Sequence, residues 1–176
     1  MSVQDGGQVP ELRCRTCSVA ETEELARLLA ESLVPGCVIS LDGDLGAGKT
    51  AFTRGLASGL ACRGSVASPT FTLLMEHPPT PGGLALYHFD VYRLEGELAA
   101  ESFLDLGFAE YFDSGGVCVI EWGQLIESVL PAKTIRVTLS CGDNDQQRDV
   151  SVRWPGGESH VAGLAARVLA WQSRQI

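Results

Sequence analysis

Residues 43–50 read Gly43-Asp44-Leu45-Gly46-Ala47-Gly48-Lys49-Thr50 and meet every fixed position of the pattern G-x-x-x-x-G-K-[ST]. An apolar run, Cys37-Val38-Ile39-Ser40-Leu41, precedes the segment, and the amphipathic stretch Ala51-Phe52-Thr53-Arg54-Gly55-Leu56 follows it. The order is strand, loop, helix. Glycines let successive backbone N–H groups turn inward around a triphosphate, and the positive end of the following helix points at the same anion. Lys49 then reaches the outer phosphates, and the Thr50 hydroxyl ligates magnesium. A Gly-rich turn with a purely structural task would call for neither Lys49 nor Thr50.

Working outward from this loop, residues 1–13 carry no periodicity, and 1–17 are expected to form a flexible N-terminus ahead of a single domain spanning 18–176. Ser18-Val19-Ala20-Glu21 has the form of a capping box, and Leu25, Leu28, Leu29 and Leu33 repeat at helical spacing until Pro35-Gly36. Residues 65–73 form a polar loop running into a strand. A Gly/Pro turn over 77–83 then leads to Leu84-Ala85-Leu86-Tyr87-His88-Phe89-Asp90, which predicts an antiparallel hairpin. A helix with a break near Gly107 is expected over 95–112. Val117-Cys118-Val119-Ile120-Glu121 is apolar until its last residue, as a strand covered on both faces should be. A second hairpin joins 133–140 to 148–154, and Ser159 opens a last helix. The expectation is an α/β domain: three layers, a mostly parallel central sheet, and antiparallel hairpin additions.

The chain has 176 residues, 45% of them hydrophobic, enough for one full core. No apolar run approaches the ~20 residues that cross a bilayer, and the first residues lack the pattern of a secretory signal, so a cytoplasmic protein is expected. Net charge is −9, from 22 acids against 13 bases. Autonomous nucleic-acid binding needs a surplus of Lys and Arg, so any RNA is expected to be held by a partner. Of six cysteines, Cys14 and Cys17 have C-x-x-C spacing, but no second pair or nearby His completes a zinc site. Cys37 and Cys118 fall in apolar strands and read as small buried hydrophobes.

Magnesium takes oxygen ligands, commonly with a carboxylate beside the loop hydroxyl. Two acids end apolar strands here, Asp90 and Glu121. A carboxylate at the end of a buried strand is costly to desolvate unless it serves a metal or a hydrogen-bond network. Pattern leaves open which of the two touches the metal and which holds the attacking water. Weaker signals surround them. Arg93 reads equally as a cation near phosphate or as a surface ion pair, Trp122 more as packing than as a stacking partner, and His88 more as a structural hydrogen-bonder than as a general base. The hydroxyls of Ser68–Thr72 fit a nucleotide-sensing switch or an ordinary loop.

Taken together, Gly43–Thr50, Ser68-Pro69-Thr70-Phe71-Thr72-Leu73, His88-Phe89-Asp90-Val91-Tyr92-Arg93-Leu94 and Glu121-Trp122 resemble, in order and spacing, the TsaE (YjeE) family of bacterial P-loop ATPases. The likeness extends over about residues 18–155, while Cys14, Cys17 and the first dozen residues lie outside it. The resemblance implies that Gly46, Ala47, Gly48, Lys49, Thr50 and Ala51 hold ATP phosphates, and that Thr50 and Glu121 bind Mg2+. Asp90 takes the Walker B role, so that Lys49, Asp90 and Glu121 form the expected catalytic set, and the 65–72 loop acts as a switch. Val19 and Thr22, and the region around Arg148, stand where the family contacts adenine. The resemblance also implies work beside TsaD and TsaB on the threonylcarbamoyladenosine at position 37 of tRNA, with ATP hydrolysis resetting that pair between turnovers.

Three other readings compete. A small-molecule kinase would close an Arg-rich lid, and no Arg cluster follows Glu121. A GTPase would carry an Asn-Lys-x-Asp segment, and the chain has none. A non-catalytic, nucleotide-dependent interaction module would bind ATP without turning it over.

Overall fold

Apolar runs make the strands, and amphipathic ones make the helices that cover them. The computed structural model describes residues 2–4, 9–94, 96 and 98–174. In chain order these form β1 (Ser2–Gln4), β2 (Glu11–Thr16), α1 (Val19–Ala30), β3 (Val38–Asp42), α2 (Lys49–Gly59), β4 (Leu74–His77) and β5 (Leu86–Asp90). There follow α3 (Ala99–Asp105), a 3₁₀ segment Phe108–Asp113, β6 (Val117–Glu121), a second 3₁₀ segment Gly123–Val129, β7 (Ile135–Cys141), β8 (Arg148–Arg153) and α4 (Glu158–Gln172).

One eight-stranded sheet has the order β1-β2-β8-β7-β3-β6-β5-β4. Its four central strands, β7, β3, β6 and β5, run parallel. Both flanks are antiparallel: β4 on β5 at one side, β8, β2 and β1 at the other. The sheet is therefore mixed, parallel only at its centre. Alternate residues of each strand feed opposite cores. Ile39, Leu41, Val119 and Val137 pack with α1, α2 and α4, while Val38, Phe89, Cys118 and Ile120 pack with α3 and the 3₁₀ segments. Among the described residues no helix is long and apolar enough to cross a membrane.

The N-terminal segment differs from expectation. Residues 11–16, assigned to a flexible N-terminus, pair along their whole length with β8, from Glu11 opposite Arg153 to Thr16 opposite Arg148. Leu12, Cys14 and Thr16 face inward while Arg13 and Arg15 face out. The alternation is real but muted, because two of its three buried positions carry Cys and Thr. The partner strand also lies more than 130 residues away, so no local signal announces the pairing. Cys37 sits one residue before β3 and is half-buried, whereas Cys118 is inside β6. Burial pushes the thiol of Cys14 up to about 11 and that of Cys118 up to about 12, as for inert core cysteines. All six cysteines are free, and among the described residues no group of three or more His, Cys, Asp or Glu side chains is placed to hold a metal ion by itself.

Two helices set the position of the loop at 43–50. The Ser18 hydroxyl accepts the Glu21 N–H at 3.1 Å and caps α1, and the Glu21 carboxylate reaches back to the Cys17 N–H at 2.7 Å. α1 lies close against α2 because Gly55 has no side chain: a Cβ there would stand 2.0 Å from the Glu23 carbonyl oxygen. Phe52 and Leu56 of α2 are fully buried. Each contributes about 1.5–3 kcal/mol of apolar burial, which anchors the helix whose first residue is Lys49.

Candidate functional site

The 43–50 turn leaves the carboxyl end of β3 and enters α2 through three glycines with positive φ: Gly43 at 147°, Gly46 at 80° and Gly48 at 102°. At Gly43 the need is also steric, since a Cβ would meet the Leu139 carbonyl oxygen at 2.3 Å. Gly48 is the N-cap of α2 and supplies no side-chain acceptor, and the first turn holds no acid. The first N–H groups of α2 thus keep their hydrogen-bonding capacity and their partial positive charge for an anion.

Lys49 is only 5% exposed. Its Nζ donates to the carbonyls of Gly43 (2.6 Å) and Asp44 (2.9 Å) and stands 3.8 Å from the centre of the Trp122 ring. Burial lowers its pKa from the usual lysine value, opposed by the carboxylates of Glu121, Asp90, Asp44 and Asp42. The ammonium therefore has dipoles and a π-face around it, but no bonded counter-charge among the described residues.

β5 and β6 are parallel and in register, which sets Asp90 directly beside Glu121, and Leu41 of β3 beside Glu121 on its other side. Both acids are 3% exposed. They have different partners. Thr50 Oγ1 donates to Glu121 Oε1 at 3.2 Å, and His88 Nε2 lies 2.9 Å from the same oxygen. Asp90 Oδ2 accepts from Thr70 (2.6 Å) and Ser68 (3.1 Å), and its Oδ1 accepts the Tyr92 N–H at 3.1 Å. Glu121 is thus joined to the start of α2, and Asp90 to the 65–72 loop.

The remaining expected residues are scattered. Gly46 and Ala47 form the apex of the turn, and Ala51 is buried on α2. Arg148 grips that apex from β8: Nε donates to the Ala47 carbonyl at 2.8 Å and Nη2 to Gly46 at 3.2 Å, while Nη1 bonds the Asp145 and Gln147 carbonyls. Val19 stands on the exposed first turn of α1, and no hydrogen bond among the described residues links it to the loop. Thr22 is buried and shares a 2.8 Å hydrogen bond with Thr16. Arg93 lies over the ring of Phe71, which is almost wholly exposed.

Sequence reasoning passed over Asp42. It ends β3, accepts from Gln124 N–H and Ser40 Oγ, and burial holds its carboxyl above the usual range. Its signal was the one already used for Asp90 and Glu121, an acid closing an apolar strand. Trp122, read as packing, has φ 63°; its ring centre stands 3.8 Å from Lys49 Nζ and 5.0 Å from that of Tyr92.

A family model described as threonylcarbamoyl adenosine biosynthesis protein TsaE matches residues 16–150. A Bacillus subtilis (strain 168) protein named tRNA threonylcarbamoyladenosine biosynthesis protein TsaE is 44% identical over 137 residues, 78% of this chain and 82% of its own. Its namesake in Treponema pallidum (strain Nichols) is 43% identical over 128 residues, 73% and 90% of the two chains. Among solved structures, YdiB from Bacillus subtilis superposes with a TM-score of 0.71 at 34% identity, covering 95% of this chain and 99% of that one. Phosphate-loop pattern, paired strand-end acids, family match and shared architecture agree, and the chain belongs to the TsaE family.

Proposed function

We propose that this protein is a three-layer P-loop ATPase, the magnesium-dependent ATP-binding and hydrolysing member of the system that forms N6-threonylcarbamoyladenosine at position 37 of tRNA. In this reading it acts in the cytoplasm with TsaD- and TsaB-type proteins, and hydrolysis resets that pair between turnovers. The observation that carries it is the convergence of Lys49, Thr50, Asp90 and Glu121 at the carboxyl ends of the central strands, beside an uncapped helix N-terminus. Membership in a family whose named relatives serve this modification supports the process.

The residues fit the ligands. The turn's glycines and the free N–H groups of α2 suit phosphate oxygens, and Lys49 exchanges its two carbonyl partners for them. Thr50 and Glu121, already 3.2 Å apart, supply hard oxygen donors for magnesium. A magnesium ion held by Thr50 and Glu121 would supply positive charge to offset the negative charge that builds up on the outer phosphates. Asp90 keeps the 65–72 loop against the site through Ser68 and Thr70, so the loop can register what occupies it. Arg148 holds the outer limb of the turn in shape.

Contact with tRNA is assigned to the partners. The exposed face of β2, β8 and β7 carries Arg13, Arg15, Arg136 and Arg153, but acids match them: Glu11 bonds Arg13 and Arg153, Asp149 and Asp143 bond Arg15, and Glu127 bonds Arg136. Charges neutralised in this way release few counterions from RNA. Calorimetry with a non-hydrolysable ATP analogue and magnesium tests the site, and binding is expected. Size-exclusion chromatography with a TsaD–TsaB pair tests the role. Co-elution should require nucleotide, and co-elution indifferent to it would remove the switch.

A further inference from the structure

His88 lies in the middle of β5, opposite Val119, and is wholly buried. Its neighbours on that face, Leu86, Val119 and Ile39, are apolar, so a leucine would fill the position at lower desolvation cost. Instead the imidazole directs Nε2 at Glu121 Oε1, 2.9 Å away. A carboxylate oxygen only accepts, so Nε2 carries the hydrogen. The other ring nitrogen, Nδ1, has no hydrogen-bond partner among the described residues. Behind it lies the His77 ring, its centre 6.1 Å away and its Nε2 likewise without a partner. The packing around His88 therefore serves one bond.

That bond falls on the same oxygen as the Thr50 hydroxyl, and Glu121 Oε2 makes no hydrogen bond with any described residue. We infer that His88 is a positioning residue that pins Oε1 of Glu121 and leaves Oε2 to meet the magnesium ion. The inference rests on the reading proposed above. A Thr50 oxygen that ligated the cation through a lone pair would keep its hydrogen for Oε1, so the Thr50 and His88 bonds would together hold that oxygen in place. Outer partners of metal ligands act in this way, fixing orientation ahead of binding.

Mn2+ titrated into the complex with a non-hydrolysable ATP analogue, followed by electron paramagnetic resonance, tests this in His88→Leu, His88→Gln and His88→Asn. Leucine removes the donor, glutamine places an N–H near the position of Nε2, and asparagine is too short to reach. Mn2+ affinity is expected to fall about 10–100-fold in the leucine and asparagine variants and to stay within about threefold of wild type in the glutamine variant. Analogue affinity in EDTA is expected to be unchanged in all three. A folded leucine variant with wild-type Mn2+ affinity would overturn the inference, as would a glutamine variant as weak as the asparagine one. Should the leucine variant fail to fold, the glutamine and asparagine pair decides alone. Wild-type protein that binds no analogue at all overturns the nucleotide reading itself, and the positioning role with it.

Discussion

α1 and α2 pack side by side, yet their amino ends are opposites. α1 begins with a hydroxyl that takes the Glu21 N–H of its first turn and a carboxylate that takes the Cys17 N–H just ahead of it. α2 begins with a glycine that caps nothing, has no acid in its first turn, and places a buried lysine at its first position. The first arrangement closes a helix end and stabilises the fold. The second leaves hydrogen-bonding capacity and positive potential unspent, which in the function proposed above the phosphates of a nucleotide would take up. The same contrast holds for charges. On the exposed sheet face each arginine bonds an acid, whereas at the loop Lys49 is held, among the described residues, by carbonyls and an indole.

Substitutions at the two ends sharpen this contrast or break it. Lys49→Ala should weaken ATP-analogue binding by about a hundredfold or more, the loss of one or two charge-assisted bonds at roughly 1.5–3 kcal/mol each. Unchanged affinity by calorimetry would end the assignment of α2 as the binding end. Glu121→Gln should keep metal-free nucleotide binding and reduce steady-state ATP turnover, measured by phosphate release with partners present, by about a hundredfold or more. Full turnover would move the metal assignment elsewhere. Ser18→Ala should cost about 1 kcal/mol in urea denaturation and leave nucleotide affinity unchanged, as befits a purely structural cap. An effect of that variant on binding would blur the distinction between the helices.

The smallest effect is expected on the exposed sheet face. Burial alone would raise the Glu11 carboxyl, but the bonds from Arg13 and Arg153 more than offset it and hold it below the usual range. A carboxyl depressed in the folded state adds stability above its unfolded pKa and loses it as pH falls through the folded value. Glu11→Gln should therefore lower the melting temperature slightly at pH 7, and the gap should close as pH falls through the depressed carboxyl pKa. A gap that persisted in acid would mean that shape, not charge, makes the contact.

Much of the site was readable from residue order, because local chemistry writes it. Gly43, Gly46 and Gly48 mark a turn that only glycine enters easily, and Asp90 and Glu121 stand out as acids closing apolar runs. Which groups each acid bonds was not readable. It follows from the register of β5 on β6 and from which loop reaches each carboxylate. Arg148 was legible only through the region that the resemblance marked. Its grip on the Ala47 and Gly46 carbonyls spans about a hundred residues of chain.

Sequence alone determined what depends on neighbours along the chain: the phosphate-type turn, the capped start of α1, the two hairpins, and the strand-end acids. Tertiary structure decided what depends on chains meeting from far apart. It drew residues 11–16 into the sheet beside β8, set Lys49 under Trp122, and placed His88 against Glu121. The reason is physical: backbone turns and helix caps are satisfied within a few residues, while pairing between strands and burial of a charge are satisfied only by the assembled fold.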